Sequence, residues 1–349
     1  MRIGVVGNCQ AAGFSACISR LRPDDEICTV SLNDLKPFAD FSAQMTELAG
    51  CDLVLTQFID SAEWGALRTA ELQRSIRRLV RFPAIVFAGF HPDCVYLTDA
   101  GGSEIRGATG PYHSAIAVAC FLEGISVQRA LKLYNALTYG SLGYFADYDR
   151  EVLRLEREFS TGGYDARAAI QASPPVFMHT LNHPRIELLF ALAEQVVVRV
   201  GLQPLKATLP PDTLSNALRW AVHPEISRQI GKGPPCNFAL GGQEFSLETM
   251  LSTAYSAYER TPPDHVPPSV MRARAFVRQN VLGHPAPSVR RTITVEDVRT
   301  GFRVILGREA EEAAIDAWMR QPATTEDLRQ ALFTSREFAA KYEALRAKG

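Results

Sequence analysis

The chain has 349 residues, 46% hydrophobic and 21% charged, with a formal net charge of −1. That is the composition of a folded protein with one large domain or two ordinary ones, and the absence of a Lys/Arg stripe interleaved with aromatics argues against nucleic acid as a partner. Seven scattered cysteines without a C-x-x-C pair argue against a disulfide framework or a zinc site and point to a reducing, cytoplasmic compartment. The opening apolar run stops at Gly7, unlike a signal peptide, and no segment is apolar over a bilayer's width.

The predicted elements alternate. Apolar, β-branched runs at Ile3–Val6, Ile27–Val30, Leu53–Gln57, Ala84–Phe90 and Val176–His179 read as strands covered on both faces. Between them, the residues from Ala11 to Ile18, Gly65–Val80 and Ser114–Leu122 read as helices, so the fold class is α/β with a parallel-sheet core over about residues 1–205. Residues 126–160 read as a helical insertion opened by Ser126. Farther on, "FALGGQEFSL" has the pattern of a hairpin and "LETMLSTAYSAYER" that of a helix. Six prolines in 261–292 mark a linker, although "VMRARAFVRQNVL" within it has helical character. From 293 to 349 the periodicity is helical, with breaks at Gly307 and Pro322 and a capping-box spacing at Thr324 and Asp327. The expected division is an α/β domain over 1–260, a linker over 261–292 and a small all-helical C-terminal domain over 293–349.

Residues able to carry chemistry fall where strands end. Cys9, in Gly-Asn-Cys-Gln between the first strand and the first helix, sits where unpaired N–H groups and the helix dipole favour a thiolate. The backbone N–H groups of that turn and the Asn8 and Gln10 amides are able to meet an oxyanion or a phosphate oxygen, although neither a Walker loop nor G-x-G-x-x-G is present. In "VFMHTLNHPRIELL" a second strand passes through a polar turn into a helix, with Pro184 suited to the first helical position and His183 beside the cap, placed to take a proton. His91 follows a strand, His113 precedes a helix and Gln57 ends a strand, all positions where parallel sheets meet ligands. No close histidine pair supports a metal. Arg74, Arg77, Arg78 and Arg81, spaced along a presumed helix face, are a further place for phosphate contacts.

Taken in order, "VVGNCQ", "LTQF", "FHPDCVY", "GPYHSAIAVACFLEG" and "NHPRIELLFALA" resemble the WcbI-type capsular polysaccharide-biosynthesis family over the first 200 residues. The resemblance implies binding of coenzyme A and transfer of an acetyl group from acetyl-CoA to a sugar hydroxyl of a surface or capsular glycan. It draws attention to Asn8, Cys9, Gln10, Gln57, His91, Tyr112, His113, Asn182 and His183. The assignment made from it is Cys9, His183 and His113 as catalytic and Asn8, Gln10, Gln57, His91, Tyr112 and Asn182 as cofactor-binding. A looser likeness to SGNH-type hydrolases, and a sheet of SGNH/flavodoxin-like character, puts Cys9 in the nucleophile's place, but Thr180 stands where those enzymes carry an Asp three residues before the histidine. "ILGREAEEAAIDAWM" and "DLRQALFTSREF" resemble a DUF4214-like helical module able to dock a partner. Three readings therefore stand at this point. The first is a coenzyme-A-dependent O-acyltransferase, working by direct attack or through acylated Cys9. The second is a Cys/His ester hydrolase, and the third is a non-enzymatic nucleotide-binding protein of glycan assembly.

Overall fold

In chain order the first strands and helices of the computed structural model are Arg2–Gly7 (β1), Ala11–Leu21 (α1), Glu26–Ser31 (β2), Ser42–Ala49 (α2), Leu53–Thr56 (β3), Thr69–Ser75 (α3) and Leu79–Arg81 (β4). The four strands pair in parallel in the order β2-β1-β3-β4, which is why helices must carry the chain back between them. The structure describes residues 1–283, 293–321 and 323–340; the linker prolines Pro285 and Pro287, the break at Pro322 and the last nine residues of the predicted helical tail lie outside them.

After β4 come Cys94–Tyr96 (β5), Tyr112–Ser114 (β6), Ala115–Leu122 (α4), Val127–Leu131 (α5), Ala136–Leu142 (α6), Asp147–Gly162 (α7), Ala166–Gln171 (α8), Met178–Thr180 (β7), His183–Pro184 (β8) and Ile186–Arg199 (α9). Leu218–Arg219 (β9), Pro224–Ile230 (α10), Phe238–Leu240 (β10), Gln243–Phe245 (β11), Leu247–Arg260 (α11) and Pro268–Asn280 (α12) follow, with β9, β10 and β11 in a small antiparallel sheet. Both faces of the parallel sheet are covered. Ile3, Val5, Leu53 and Leu55 pack with Phe14 and Ile18 of α1 and Leu189 and Leu192 of α9, while Val6, Val30 and Val54 pack with Leu48 of α2. Each such side chain contributes roughly 1.5–3 kcal/mol by leaving water. This is the expected α/β fold, and its strand order is that of doubly wound sheets whose ligand crevice lies at the carboxyl ends of the strands, where the order reverses between β1 and β3.

Four expectations need correction. Ala84–Phe90 forms no strand; the fourth strand is Leu79–Arg81, and the segment after it forms no ladder because side chains, with one backbone bond from Phe87 N–H to Leu181 O, take up its backbone groups. Gly65–Val80 is not one helix, since Gly65 adopts φ 42° and the chain is extended again from Ile76. The strand predicted at Val176–His179 is Met178–Thr180, and it pairs antiparallel with β8 in a sheet of its own. Finally, His183 and Pro184 belong to that hairpin, and Arg185 is the residue that opens α9.

The chain divides into two compact units, Met1–Val277 and Arg278–Gly349. In the second, Val298, Phe302, Leu306, Ile315, Leu328 and Leu332 form a small apolar core among short helices. Thr294 with Asp297 and Thr324 with Asp327 each form a capping box, which supplies two N-terminal donors with partners.

Candidate active site

The turn after β1 is held from three directions. Its Asn8 N–H donates to Gln57 Oε1 at 2.9 Å, and Gln10 N–H donates to Asn8 Oδ1 at 3.0 Å. The fully buried Gln10 side chain uses every hydrogen-bonding position it has: Nε2 donates to Ile85 O at 2.7 Å and to Asn182 O at 2.9 Å, and Oε1 accepts from Ile85 N at 3.0 Å and Gln57 Nε2 at 3.2 Å. Gln10 thus acts as a ladder partner for the extended segment after β4, and it ties the Cys9 turn to the Asn182–His183 turn. With these bonds made, Gln10 has no side-chain donor left for an oxyanion, and Gln57 has spent one of its two Nε2 hydrogens on Gln10. Asn8 differs, because only its oxygen is engaged and its Nδ2 makes no hydrogen bond within the protein among the described residues.

Cys9 is half-buried at this rim. Its thiol is pushed up from its ordinary value by burial, opposed only by a backbone hydrogen bond, so desolvation outweighs the helix terminus that was expected to favour the thiolate. The neighbours that feel its charge are Tyr96 and Tyr112. Tyr112 is the centre of the group: its hydroxyl donates to Asn182 Oδ1 at 2.7 Å and stands 3.3 Å from His183 Nε2, while its ring lies against Tyr96 and edge-on to His183. Thr180 Oγ1 donates to the same Asn182 oxygen at 3.1 Å. Burial, reinforced by the charge of His179, lowers the His183 imidazole to about 4, and its buried Nδ1 has no hydrogen-bond partner. At neutral pH it is an uncharged base with a free ring nitrogen.

The other two histidines stand apart from this group. His113 is 1% exposed, with Nδ1 against Tyr258 Oη at 3.0 Å and Nε2 against Ile105 O at 2.9 Å. Both ring nitrogens are committed to packing, which removes the basis for the catalytic role read from sequence. His91 is 2% exposed, lies 3.3 Å through Nδ1 from Ala221 O, and is lowered to about 3 by burial. The titratable groups that act on it are His223 and His179, and its place is interior and not a ligand surface.

Two residues that sequence reasoning passed over belong to the surroundings of the group. Tyr96, 38% exposed, covers Tyr112. Asp212 Oδ2 meets His179 Nε2 at 2.8 Å and also accepts from Ile186 N, which explains why its carboxyl is lowered despite burial. A carboxylate therefore does reach a histidine of this turn, but it comes from later in the chain and selects His179. The only local signal at Asp212 is the turn-like "PPDT". The four arginines read as one helix face are separated: Arg74 lies in the last turn of α3, Arg77 and Arg78 follow it before β4, and Arg81 ends β4.

Comparison with protein families decides the relationship: the model of the polysaccharide biosynthesis enzyme WcbI matches residues 2–205, more than half of the chain. This chain belongs to the WcbI family. A solved WcbI structure shares 16% identity with it at a TM-score of 0.58, covering 80% of this chain and 95% of its own, so the fold extends past the matched segment. That structure is described as a novel polysaccharide biosynthesis enzyme, in a native form without the disulfide bond between coenzyme A and one of its cysteines. A comparison with curated proteins gave no match. The family assignment makes the chain an enzyme of polysaccharide biosynthesis, and among the described residues no helix is long and apolar enough to cross a membrane.

Proposed function

We propose that this enzyme is a coenzyme-A-dependent O-acyltransferase that moves an acetyl group from acetyl-CoA to a sugar hydroxyl during surface-polysaccharide synthesis in the cytoplasm. The observation that carries the reading is the uncharged, half-buried His183 ring, whose Nε2 lies 3.3 Å from the Tyr112 hydroxyl in the same hydrogen-bonded group as Asn182 and the Cys9 turn. The relative, described with reference to a disulfide bond between coenzyme A and one of its cysteines, supports Cys9 as the place where the donor's sulfur rests. The residues fit such a donor, since Cys9 is partly open and the Asn8 Nδ2 is free to donate. The donor supplies the activated acyl carbon.

His183 takes the proton of the sugar hydroxyl as its oxygen bonds to the carbonyl carbon, and passes that proton to the leaving sulfur as the carbon–sulfur bond breaks, which releases the coenzyme thiol. Asn8 Nδ2 steadies the negative charge that develops on the carbonyl oxygen. The raised pKa of Cys9 favours this direct route over an acylated cysteine, because a protonated, half-buried thiol is a poor nucleophile. In the test, the protein is incubated with labelled acetyl-CoA and a panel of sugars, nucleotide sugars and oligosaccharides. Transfer that survives in Cys9→Ser and disappears in His183→Ala is the expected result. Transfer lost in Cys9→Ser, with label trapped on the wild-type protein, would replace direct attack by the acyl-enzyme route. Hydrolysis of simple esters without any acceptor would make the protein a hydrolase instead.

A further inference from the structure

A chamber with a volume of about 540 Å³ lies at the carboxyl ends of β3 and β4. Its walls are Phe58, Arg81, Pro83, Ala84 and Val86 on one side and the last turns of α7 on the other. It is built from the same pieces that hold the Cys9 turn. Phe58 directly follows Gln57, which accepts the Asn8 N–H, and Ala84 and Val86 flank Ile85, whose N–H and C=O are both bonded to Gln10. The chamber thus borders the two segments that hold the Cys9 turn.

The chemistry of the lining is specific. Phe58 is 65% exposed although it is a large apolar ring, and the Arg81 guanidinium stands 6.0 Å from its centroid. Arg81 has no carboxylate partner among the described residues, whereas Arg154, across the chamber, is tied to Glu151, Glu158 and Val86 O. A second chamber of about 480 Å³ shares Arg81, Thr161 and Gly162 with the first and adds Arg199, which packs on Tyr164 and likewise lacks a carboxylate partner. The chain's net charge is only −1, so attraction for a polyanion has to be local, and these two arginines beside an open aromatic ring provide it. An open flat ring with a guanidinium beside it suits a planar heterocycle, and the unpaired arginines suit phosphates.

We propose that the Phe58–Arg81 chamber holds the adenine nucleotide end of the acyl donor, with the base on Phe58 and Arg81 and the phosphates toward Arg81 and Arg199. This rests on the coenzyme A reading above and extends it to residues remote from the reacting atoms. A thiol at Cys9 leaves the nucleotide at the far end of a long flexible arm, and the adjoining chambers supply a place for it.

Titration calorimetry on the full chain tests the assignment with four probes: coenzyme A, dephospho-coenzyme A, adenosine 3′,5′-bisphosphate and pantetheine. Phe58→Ala and Arg81→Ala are expected each to weaken coenzyme A by roughly tenfold and to abolish measurable bisphosphate binding, while leaving pantetheine unchanged. Arg81→Ala should also flatten the salt dependence of coenzyme A binding. Both side chains are exposed, and circular dichroism melts identical to wild type will show that the fold is kept. Coenzyme A binding equal in wild type and both variants would overturn this assignment and leave the proposed function standing. Absence of coenzyme A and pantetheine binding to the wild type would overturn both.

Discussion

The Asn182–His183 turn and the β6–α4 junction look alike in sequence, each setting a histidine close to the start of a helix, yet the folded protein treats the two imidazoles in opposite ways. His183 sets Nε2 beside the Tyr112 hydroxyl and leaves Nδ1 unpartnered, while His113 spends both nitrogens on Tyr258 and a backbone carbonyl. A histidine's value for proton transfer depends on what its second nitrogen touches, and that is settled by residues far away in the chain. Here the distant residues are Tyr258, 145 positions from His113, and Tyr112, 71 positions from His183.

The contrast can be broken by substitution. His183→Ala should lower acetyl transfer by about 100-fold or more with little change in melting temperature, because it removes a general base but no buried bond of short length. His113→Ala should do the reverse: activity per folded molecule stays near wild type, while urea unfolding shows a loss of roughly 2–4 kcal/mol from the cavity and the two partners left unmet. Equal losses of activity in the two variants would remove the distinction.

A second test concerns the tie between the rim turns. Gln10→Ala leaves Ile85 N, Ile85 O, Asn182 O and Gln57 Nε2 without their partner. The expected destabilisation is on the order of 3 kcal/mol or more, since each buried polar group left unmet costs about 1–3 kcal/mol. Urea unfolding measures it, and a change under 1 kcal/mol would show that water replaces the amide.

The pH dependence sharpens the comparison further. A neutral His183 down to about pH 4 places the acid limb of kcat/KM near pH 4 rather than at the ordinary imidazole value near 6.5. The same shift has a consequence for folding. Because the folded imidazole is harder to protonate than the unfolded one, the unfolded chain binds the extra proton, and stability falls as pH drops from about 6.5 to about 4. His91 and His223, lowered to about 3 and about 4 by burial, act in the same direction. Asp93 acts oppositely. Burial raises it to about 7, so the folded state holds its proton longer, and its contribution declines as pH rises from about 4 to about 7. Asp93→Asn, read by thermal melts at pH 5 and pH 8, should remove that decline and is the smallest of these effects.

The second unit offers a different lesson about legibility. Its capping boxes at Thr294 and Thr324 join a side chain to a backbone three residues away, so Thr324 with Asp327 was readable without knowing anything else about the fold. The Ser114 cap of α4 is equally local. Ala84–Phe90 was misread for the opposite reason. Its residues have strand chemistry, but a strand requires a neighbour, and here the Gln10 amide and the Glu151 and Arg154 side chains occupy the backbone groups that a ladder would use.

From the amino-acid sequence alone came the α/β alternation, the parallel central strands and the strand-to-helix position of Cys9, all of which follow from local hydrophobic period and turn chemistry. The candidate residues were also named there, because polar side chains at strand ends are visible one at a time. Tertiary structure alone decided which of them share a rim, that burial keeps the Cys9 thiol protonated and His183 uncharged, and that Gln10 is a tie between segments. Desolvation and hydrogen-bond partnership depend on groups brought together from 75 and 172 positions away, and no local pattern records such a meeting.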